Sequence, residues 1–540
     1  MGTDASRFHH NKLQVIMFEI GKGTSQLLRA LGARLPCPAL LLSSFILACF
    51  FLALIIFFTT ALALSLSLGA SSRALECDYL PLLGSAIPFF RRRSSLLASK
   101  KDASYFVGCK HIINVSSLDG RRTFFENKNL SLPCGAGELL AGLGSGSGNE
   151  DDHAQDFIKS LLTLLRPSLL AEKLPIIASD VQVFTDSLAR APPSGPCSGY
   201  RVLDPFEVVY PLIFKLIMRV IGVKEWLENQ EVLDRNLSAF CNFEGNCSRV
   251  GIAFPWLVTP TYIKKLYYGS KLYLSITDVV KRRRKSGKQE NDAVQFLLDE
   301  NKDVTRASRY SYVFIFSTLS SGITTEGCSA AWLTVFLANS RKWQTRCRDE
   351  VDGVIAKNRI SSVQSNHEIL GKLSLQQWES EFPVIIASFR ETVRLVMPGA
   401  MFRKNVSGSP VSIGGTNLVI PNRAFVSFLV DNVHMNPTLY PEPTTFNPER
   451  YLSINKGSET SEHKPHAYVG WGSGRHLCPG MRLAKLEITM VTTYLLAMFH
   501  IQPSDEDGCE FIGPFPAVDR NWYRIRKPDG PIYVRLQPRN

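Results

Sequence analysis

Two apolar stretches dominate the pattern of hydrophobic and polar positions. From Pro36 to Ser72 no residue is charged, and Leu40 to Phe58 is almost wholly apolar. Spanning a bilayer takes ~20 such residues, so this run predicts a membrane-crossing helix. A secretory h-region is shorter, ~7–15 residues, and starts nearer the N-terminus; cleavage after the small residues near Ala70 is the alternative reading. The second stretch, Ser311 to Ser340, is largely apolar with a polar centre, Ser321-Gly-Ile-Thr324-Thr325-Glu326. Between the two lies Gly142-Leu-Gly-Ser-Gly-Ser-Gly148, which reads as a flexible surface loop. Phe254-Pro-Trp256-Leu-Val258 is an apolar knob, either core or a membrane-facing surface. No repeats occur, and no other linker divides the chain after Leu80. At 540 residues the chain exceeds the usual one-domain range of ~150–250. The organisation expected is an N-terminal segment 1–35, a transmembrane anchor region 36–70 and one large domain 76–540.

Charge and cysteine content narrow the class. A net charge of +13 could suit nucleic acid, but no aromatic interleaving or nucleic-acid motif accompanies it. The densest cluster, Lys281-Arg-Arg-Arg-Lys285, reads as a solvated helix end or loop. Basic surface suits anionic lipid heads and an acidic electron-donor protein. Positive charges flank the apolar run almost equally on both sides, so they do not orient it. The 12 cysteines lack paired spacing, which fits free thiols in a reducing compartment. Asn114, Asn129, Asn236, Asn246 and Asn405 lie in glycosylation sequons, which on a cytosolic domain are chance matches.

The candidate chemistry sits in Trp471-Gly-Ser-Gly474-Arg475-His476-Leu-Cys478-Pro-Gly480. Pro479 favours a helical first turn, which places Cys478 at a helix N-terminus. There the dipole, aided by Arg475, would lower the thiol pKa. Gly474 and Gly480 remove side chains where backbone passes a flat cofactor. These features point to a metal-bearing ring, heme, with Cys478 as axial thiolate ligand. Such a ligand pushes electron density onto iron and favours O–O cleavage. The plain alternative is a buried cysteine behind an ordinary loop. Zinc fits poorly, since no Cys or His pair stands nearby at finger spacing.

Trp471, Gly474, Cys478 and Gly480 resemble the heme loop of the cytochrome P-450 superfamily, Phe-x-x-Gly-x-Arg-x-Cys-x-Gly. Trp471 stands for Phe and His476 for Arg, with Arg475 one place earlier; the sterol 14-demethylase branch also reads Arg-His. Further signatures follow in the family's order. Glu391-Thr-Val-Arg394 is the Glu-x-x-Arg pair, and Pro443-Thr-Thr-Phe446-Asn-Pro448-Glu-Arg450 supplies the arginine that joins it. Phe402-Arg403-Lys404 is similar to the strand that sends an arginine to a heme propionate. His434-Met-Asn436-Pro437 is similar to a His-x-Asp-Pro turn. The resemblance implies a mainly α fold with a smaller β-rich part and heme b between a long helix and the Cys478 loop. Arg403, Arg475 and His476 are then propionate candidates, with Glu391, Arg394 and Arg450 as the structural core beside heme.

In the long helix the family reads Ala/Gly-Gly-x-Asp/Glu-Thr-Thr. Trp332 and Glu350 set the register, so Thr325 matches the proton-relaying threonine. Thr324 takes the acid's place, and Glu326 lies one residue beyond, about 100° round the helix. The alternative for both threonines is hydroxyls bonding back to the preceding turn. No Trp-x-x-x-Arg occurs between Lys100 and Tyr200; His153 or Arg166 could fill that role. The resemblance implies a monooxygenase of the endoplasmic reticulum membrane, single-pass with its catalytic domain cytosolic. It would take electrons from NADPH through a reductase and oxidise a lipophilic terpenoid, sterol or polyketide of secondary metabolism. A reductase-independent heme-thiolate isomerase or dehydratase, and a non-catalytic heme-binding membrane protein, are the rivals.

Overall fold

A computed structural model describes residues 84–539, apart from 101, 109, 142–149, 194–199, 247–257, 302, 398, 415–416, 453–463, 512, 514–516 and 522–524. The N-terminal segment, the expected anchor, the Gly142–Gly148 loop and most of the Phe254–Val258 knob lie outside the described residues. Among the described residues no helix is long and apolar enough to cross a membrane.

Helices predominate. In chain order the principal ones are α1 (Leu118–Glu126), α2 (Glu150–Leu164), α3 (Pro167–Arg190), α4 (Pro205–Ile221), α5 (Gln230–Gly245), α6 (Pro260–Ser286), α7 (Val304–Asn339), α8 (Arg341–Asn358), α9 (Pro383–Val396) and α10 (Met481–Met498). A five-stranded sheet holds β1 (Ala103–Val107), β2 (Lys110–Val115), β3 (Leu130–Ser131), β5 (Ala400–Asn405) and β8 (Phe425–Leu429), ordered β1-β2-β8-β5-β3. Only β2 and β8 pair in parallel there. β4 (Arg201–Leu203), β11 (Phe499–Ser504) and β12 (Tyr533–Pro538) form a second sheet. Two short hairpins pair β6 (Val411–Ser412) with β7 (Val419–Ile420) and β9 (Gly472–Ser473) with β10 (His476–Leu477). The expectation of a mainly α fold with a smaller β part holds.

α7 is the axis of the helical body. Its N-cap Asp303 accepts from the Arg306 amide at 2.6 Å, and its 36 residues span about 54 Å. Ile315, Leu319, Ile323, Ala331, Leu333 and Leu337 are buried from several sides, against α4, α6, α9 and α10. Hydroxyls within it bond back one turn: Ser321 to the Ser317 carbonyl at 2.6 Å, Ser329 to Thr325 at 2.6 Å and Thr334 to Ala330 at 3.0 Å.

α9 needs help at its start, because Phe382 cannot cap it. Glu350 of α8 does so, its carboxylate accepting from the Val384 and Ile385 amides at 2.7 and 3.1 Å. Burial nevertheless pushes that carboxyl up to about 7. Trp332 donates its indole N–H to the Arg526 carbonyl at 3.2 Å.

Two surface readings need revision. Arg283, inside the basic cluster, is 2 % exposed, bonded to Glu225 at 2.8 and 2.6 Å and to Asp292 at 2.7 Å; that member is an ion-paired core group rather than a solvated end. Three sequon asparagines are buried, Asn114, Asn236 and Asn405. The Asn114 amide already donates to the Leu97 and Lys100 carbonyls, and that of Asn405 to Ile420. Neither could carry a glycan in this fold. Cys241, Cys328, Cys347 and Cys478 are free thiols, in line with the cysteine reading.

Candidate heme site

The Cys478 loop is fixed from two directions. Within it, the β9–β10 hairpin pairs Ser473 with His476, and the Cys478 amide donates to the Trp471 carbonyl at 2.8 Å. Trp471 stands edge-on to Phe389 of α9 at 5.5 Å. From outside, the end of α1 holds the loop. The Arg475 amide donates to the Phe125 carbonyl at 3.2 Å. The His466 ring bridges Ser473 Oγ at 2.6 Å and Glu126 Oε1 at 3.1 Å, stacked 5.0 Å above Phe125.

Gly474 belongs to this clamp, which corrects the expectation that it makes room for a cofactor. Its φ is +61°, and a Cβ there would stand 2.4 Å from the Phe125 carbonyl oxygen. Gly474→Ala therefore strains the backbone and pushes the loop off α1, at a cost of about 1–3 kcal/mol. Paired denaturation curves and heme titrations of variant and wild type should show both lower stability and weaker heme retention. At Gly480 the nearest atom to a would-be Cβ is Cys478 Sγ at 4.0 Å, so the backbone beside the sulfur is open.

The helix-terminus reading of Cys478 also changes. α10 begins at Met481 with Gly480 as N-cap, so Cys478 precedes the helix. Burial pushes its thiol pKa up, against the downward pull of the Gly480 and Met481 amides, and nearby Glu326 adds to the rise. Arg475 does not act on the sulfur. Deprotonation would come from metal coordination itself, which removes the proton outright.

Arg475 instead faces Arg403 of β5. Arg403 is 2 % exposed, donates Nη1 to the Phe124 carbonyl and lies 4.7 Å over the Phe124 ring. Burial, then the Arg475 charge, lower its pKa to about 10. Its Nε has no partner, and among the described residues no carboxylate pairs with either arginine. Two cations converging without a counter-ion call for an external anion. A heme propionate fits that demand, and the sulfur of Cys478 beside open glycine backbone fits an iron ligand. His476, on β10, is half-buried at the same loop. Arg166 does not join them: it is exposed and donates to Thr163 of its own segment at 2.9 Å. The His153 side chain lies outside the described residues.

Behind the loop stands a buried charge lock. Arg394 forks onto Glu391, Nε to Oε2 and Nη2 to Oε1, both at 2.8 Å, and both side chains have no exposure. Its Nη1 donates to the His434 and Pro443 carbonyls at 2.7 Å each. Arg450 Nε reaches Glu391 at 3.3 Å. His434 Nε2 accepts from the Val469 amide at 3.1 Å. Burial and the surrounding arginines drop its pKa to about 3, so the ring stays neutral. The Glu-x-x-Arg pair is thus a core device, and the reading of a solvated helix bridge fails.

On α7 the three candidates diverge. Thr325 is exposed, and its hydroxyl makes no hydrogen bond among the described residues, unlike its back-bonded neighbours. Thr324 turns away to α4, with Oγ1 buried against Tyr210 and no well-formed bond; it does not hold an acid's station. Glu326 is 6 % exposed and faces Glu487 of α10, with Cys478 close enough to feel its charge. Sequence reading missed Glu487, although it lies on the helix that Cys478 leads into. Burial raises both carboxyl pKa values; Glu326 raises that of Glu487 further, while the hydrogen bond with Glu487 pulls that of Glu326 back down.

Comparison with known proteins agrees with this geometry. The cytochrome P450 family model matches residues 159–517. The chain is 29% identical to cytochrome P450 monooxygenase AacuE of Aspergillus aculeatus, over 75% of this chain and 80% of that protein. It is 26% identical to cytochrome P450 monooxygenase nsrP of Aspergillus novofumigatus, over 77% and 79%. Lanosterol 14-alpha demethylase of Pongo abelii is 24% identical, over 93% and 94%. The structure of retinoic acid-bound cyanobacterial CYP120A1 shares the fold, with TM-score 0.63 and 19% identity over 85% of this chain and 98% of that one. The thiol loop, the buried charge lock and these matches converge: this chain belongs to the cytochrome P450 family and is a heme-thiolate enzyme of the monooxygenase kind.

Proposed function

We propose that this chain is a membrane-anchored monooxygenase that inserts one oxygen atom into a lipophilic small molecule, a terpenoid, sterol or polyketide of secondary metabolism. Residues 36–70 anchor it in the endoplasmic reticulum membrane, and the catalytic domain, 76–540, faces the cytosol. Electrons come from NADPH through a reductase. The observation that carries the reading is Cys478 held in a clamped loop with two unneutralised arginines, opposite a carboxyl-bearing face of α7. The relatives named as Aspergillus cytochrome P450 monooxygenases support the reaction type.

Bound through a thiolate, heme would supply the oxygen-activating chemistry. Cys478 would provide that ligand. Arg403, Arg475 and His476 would hold the propionates, and Trp471 and the glycines would shape the loop. Glu391, Arg394 and Arg450 hold the loop's support rigid. The Thr325 hydroxyl holds and passes a proton, and the Glu326 carboxyl supplies it. Thr324, aimed at Tyr210, keeps α7 against α4.

The isomerase rival rests on the missing acid, and the Glu326 carboxyl near Cys478 supports the monooxygenase reading over it. A proton relay of this kind is worth ~10²–10⁴-fold. Thr325→Ala should cut product yield while NADPH consumption continues and peroxide escapes. Assays with reductase and a lipophilic substrate panel, following NADPH, peroxide and product together, check this. Unchanged coupling would remove Thr325 from the relay, and turnover without NADPH would restore the rival.

A further inference from the structure

The last turn of α1 is a seat for the Cys478 loop. The final carbonyls of a helix have no partners within it. Here two of them take donors from the candidate site: the Phe124 carbonyl accepts from Arg403 Nη1, and the Phe125 carbonyl from the Arg475 amide at 3.2 Å. The helix dipole puts partial negative charge at this end, which suits the arginine. One backbone bond fixes a point of the loop and not its tilt. His466 supplies the second point. Its ring stacks on Phe125, 5.0 Å between centroids and 22° between planes. Nε2 meets Glu126 Oε1 at 3.1 Å, and Nδ1 meets Ser473 Oγ of β9 at 2.6 Å. A carboxylate only accepts, so Nε2 carries the hydrogen of that bond. Glu126 is steadied in turn by Arg122 Nε at 3.1 Å. The backbone of His466 lies in the left-handed region at φ +58°, which a non-glycine residue adopts at a cost and only where its surroundings impose it. Those surroundings are visible: the Ala467 carbonyl accepts from the Tyr440 hydroxyl at 2.8 Å, and the Val469 amide donates to His434 at 3.1 Å.

We infer that His466 is a positioning residue for the Cys478 ligand: it locks the β9–β10 hairpin onto the last turn of α1 and so fixes where the sulfur stands relative to Arg403. Because Phe124, Phe125 and Glu126 are consecutive, one helical turn holds the propionate candidate Arg403, the loop backbone and the His466 ring together. Without the ring bridge the hairpin can lift away, while the loop's own bonds, Ser473 to His476 and Cys478 to Trp471, persist. The ligand is then present but displaced. The role rests on Cys478 as the heme ligand and on no particular substrate.

Ser473→Ala and His466→Asn in the full chain test it. Ser473→Ala removes only the inner bond. Asparagine tolerates the left-handed backbone but is too short to reach both partners. In the heme-free protein, hydrogen exchange at the Arg475 and Cys478 amides should quicken about five- to tenfold, the factor one hydrogen bond is worth. Amides of α7 should keep wild-type rates, because the opening is local. In the heme-loaded, reduced, carbon monoxide-bound protein, mild urea should convert the red-shifted Soret band to the unshifted form faster by about the same factor. Ser473→Thr, which keeps the hydroxyl, should restore both readouts. The double variant should add little to His466→Asn alone, since both changes break the same bridge. Unchanged exchange at Arg475 and Cys478 in both single variants overturns the inference. So does a speed-up shared equally by α7, which would make the bridge a general stability contact. If His466→Asn fails to fold, Ser473→Ala and Ser473→Thr still decide. Wild type without a red-shifted band loses the thiolate reading itself; wild type with the band, and variants that change neither readout, lose only the role of His466.

Discussion

Arg394→Ala should leave the protein unable to hold heme and close to unfolding. Arg394 has no exposure and offers two bonds to Glu391 at 2.8 Å and two more to the His434 and Pro443 carbonyls at 2.7 Å. Removing it strands a fully buried carboxylate, with Arg450 at 3.3 Å and the Asn447 amide at 3.1 Å as its remaining donors. Breaking one side of a buried pair costs about 3–5 kcal/mol. Native domains have ~5–15 kcal/mol in hand, so most of the margin goes. The damage reaches the site because the same guanidinium ties α9 to the His434 turn, and His434 accepts from Val469 just before the Cys478 loop. Denaturant unfolding followed alongside heme absorbance should show both midpoints falling together. Arg394→Lys should recover only part, since a lysine lacks the planar fork. Arg450→Ala, whose side chain keeps some exposure, should cost clearly less than Arg394→Ala. A loss under about 1 kcal/mol for Arg394→Ala would contradict the lock.

The second large effect is chemical. Cys478→Ala should abolish oxygen insertion while sparing the fold. The loop's bonds at this position are backbone ones, Cys478 amide to Trp471 carbonyl and Met481 amide to Cys478 carbonyl, which alanine retains. No described side chain depends on the sulfur, so its loss costs little packing. What disappears is the anionic ligand that directs electron density toward O–O cleavage. Melting curves near wild type, with no product from NADPH and reductase, are expected. Product formation at wild-type rates would remove Cys478 from the chemistry.

Much of the fold and site was legible in the sequence, for a physical reason. The Glu391–Arg394 spacing is local, and Arg450 and His434 fall in short segments where proline and charge fix the chain path. The strand at Phe402–Lys404 and the register of the long helix around Ser321–Glu326 follow from the family resemblance, and the largely apolar Ser311–Ser340 stretch from the pattern. What stayed hidden depends on contacts between distant segments. Gly474 is glycine because the Phe125 carbonyl sits against it, which nothing in the loop foretells. Arg283 is core because Glu225 and Asp292 meet it, whatever its basic neighbours suggest. Glu326 gains its setting from Glu487, a helix away. The Cys478 thiol was misjudged because burial, a property of the whole fold, outweighs the local amides.

The central claim, thiolate ligation by Cys478, is tested most directly by one spectrum. The chain from residue 76 onward, or the full protein in detergent, is loaded with heme, reduced and exposed to carbon monoxide, with Cys478→Ala alongside. A strongly red-shifted Soret band in wild type and its absence in Cys478→Ala is the predicted result. Folded, heme-loaded wild type without that band would contradict thiolate ligation, and the monooxygenase function would fall with it.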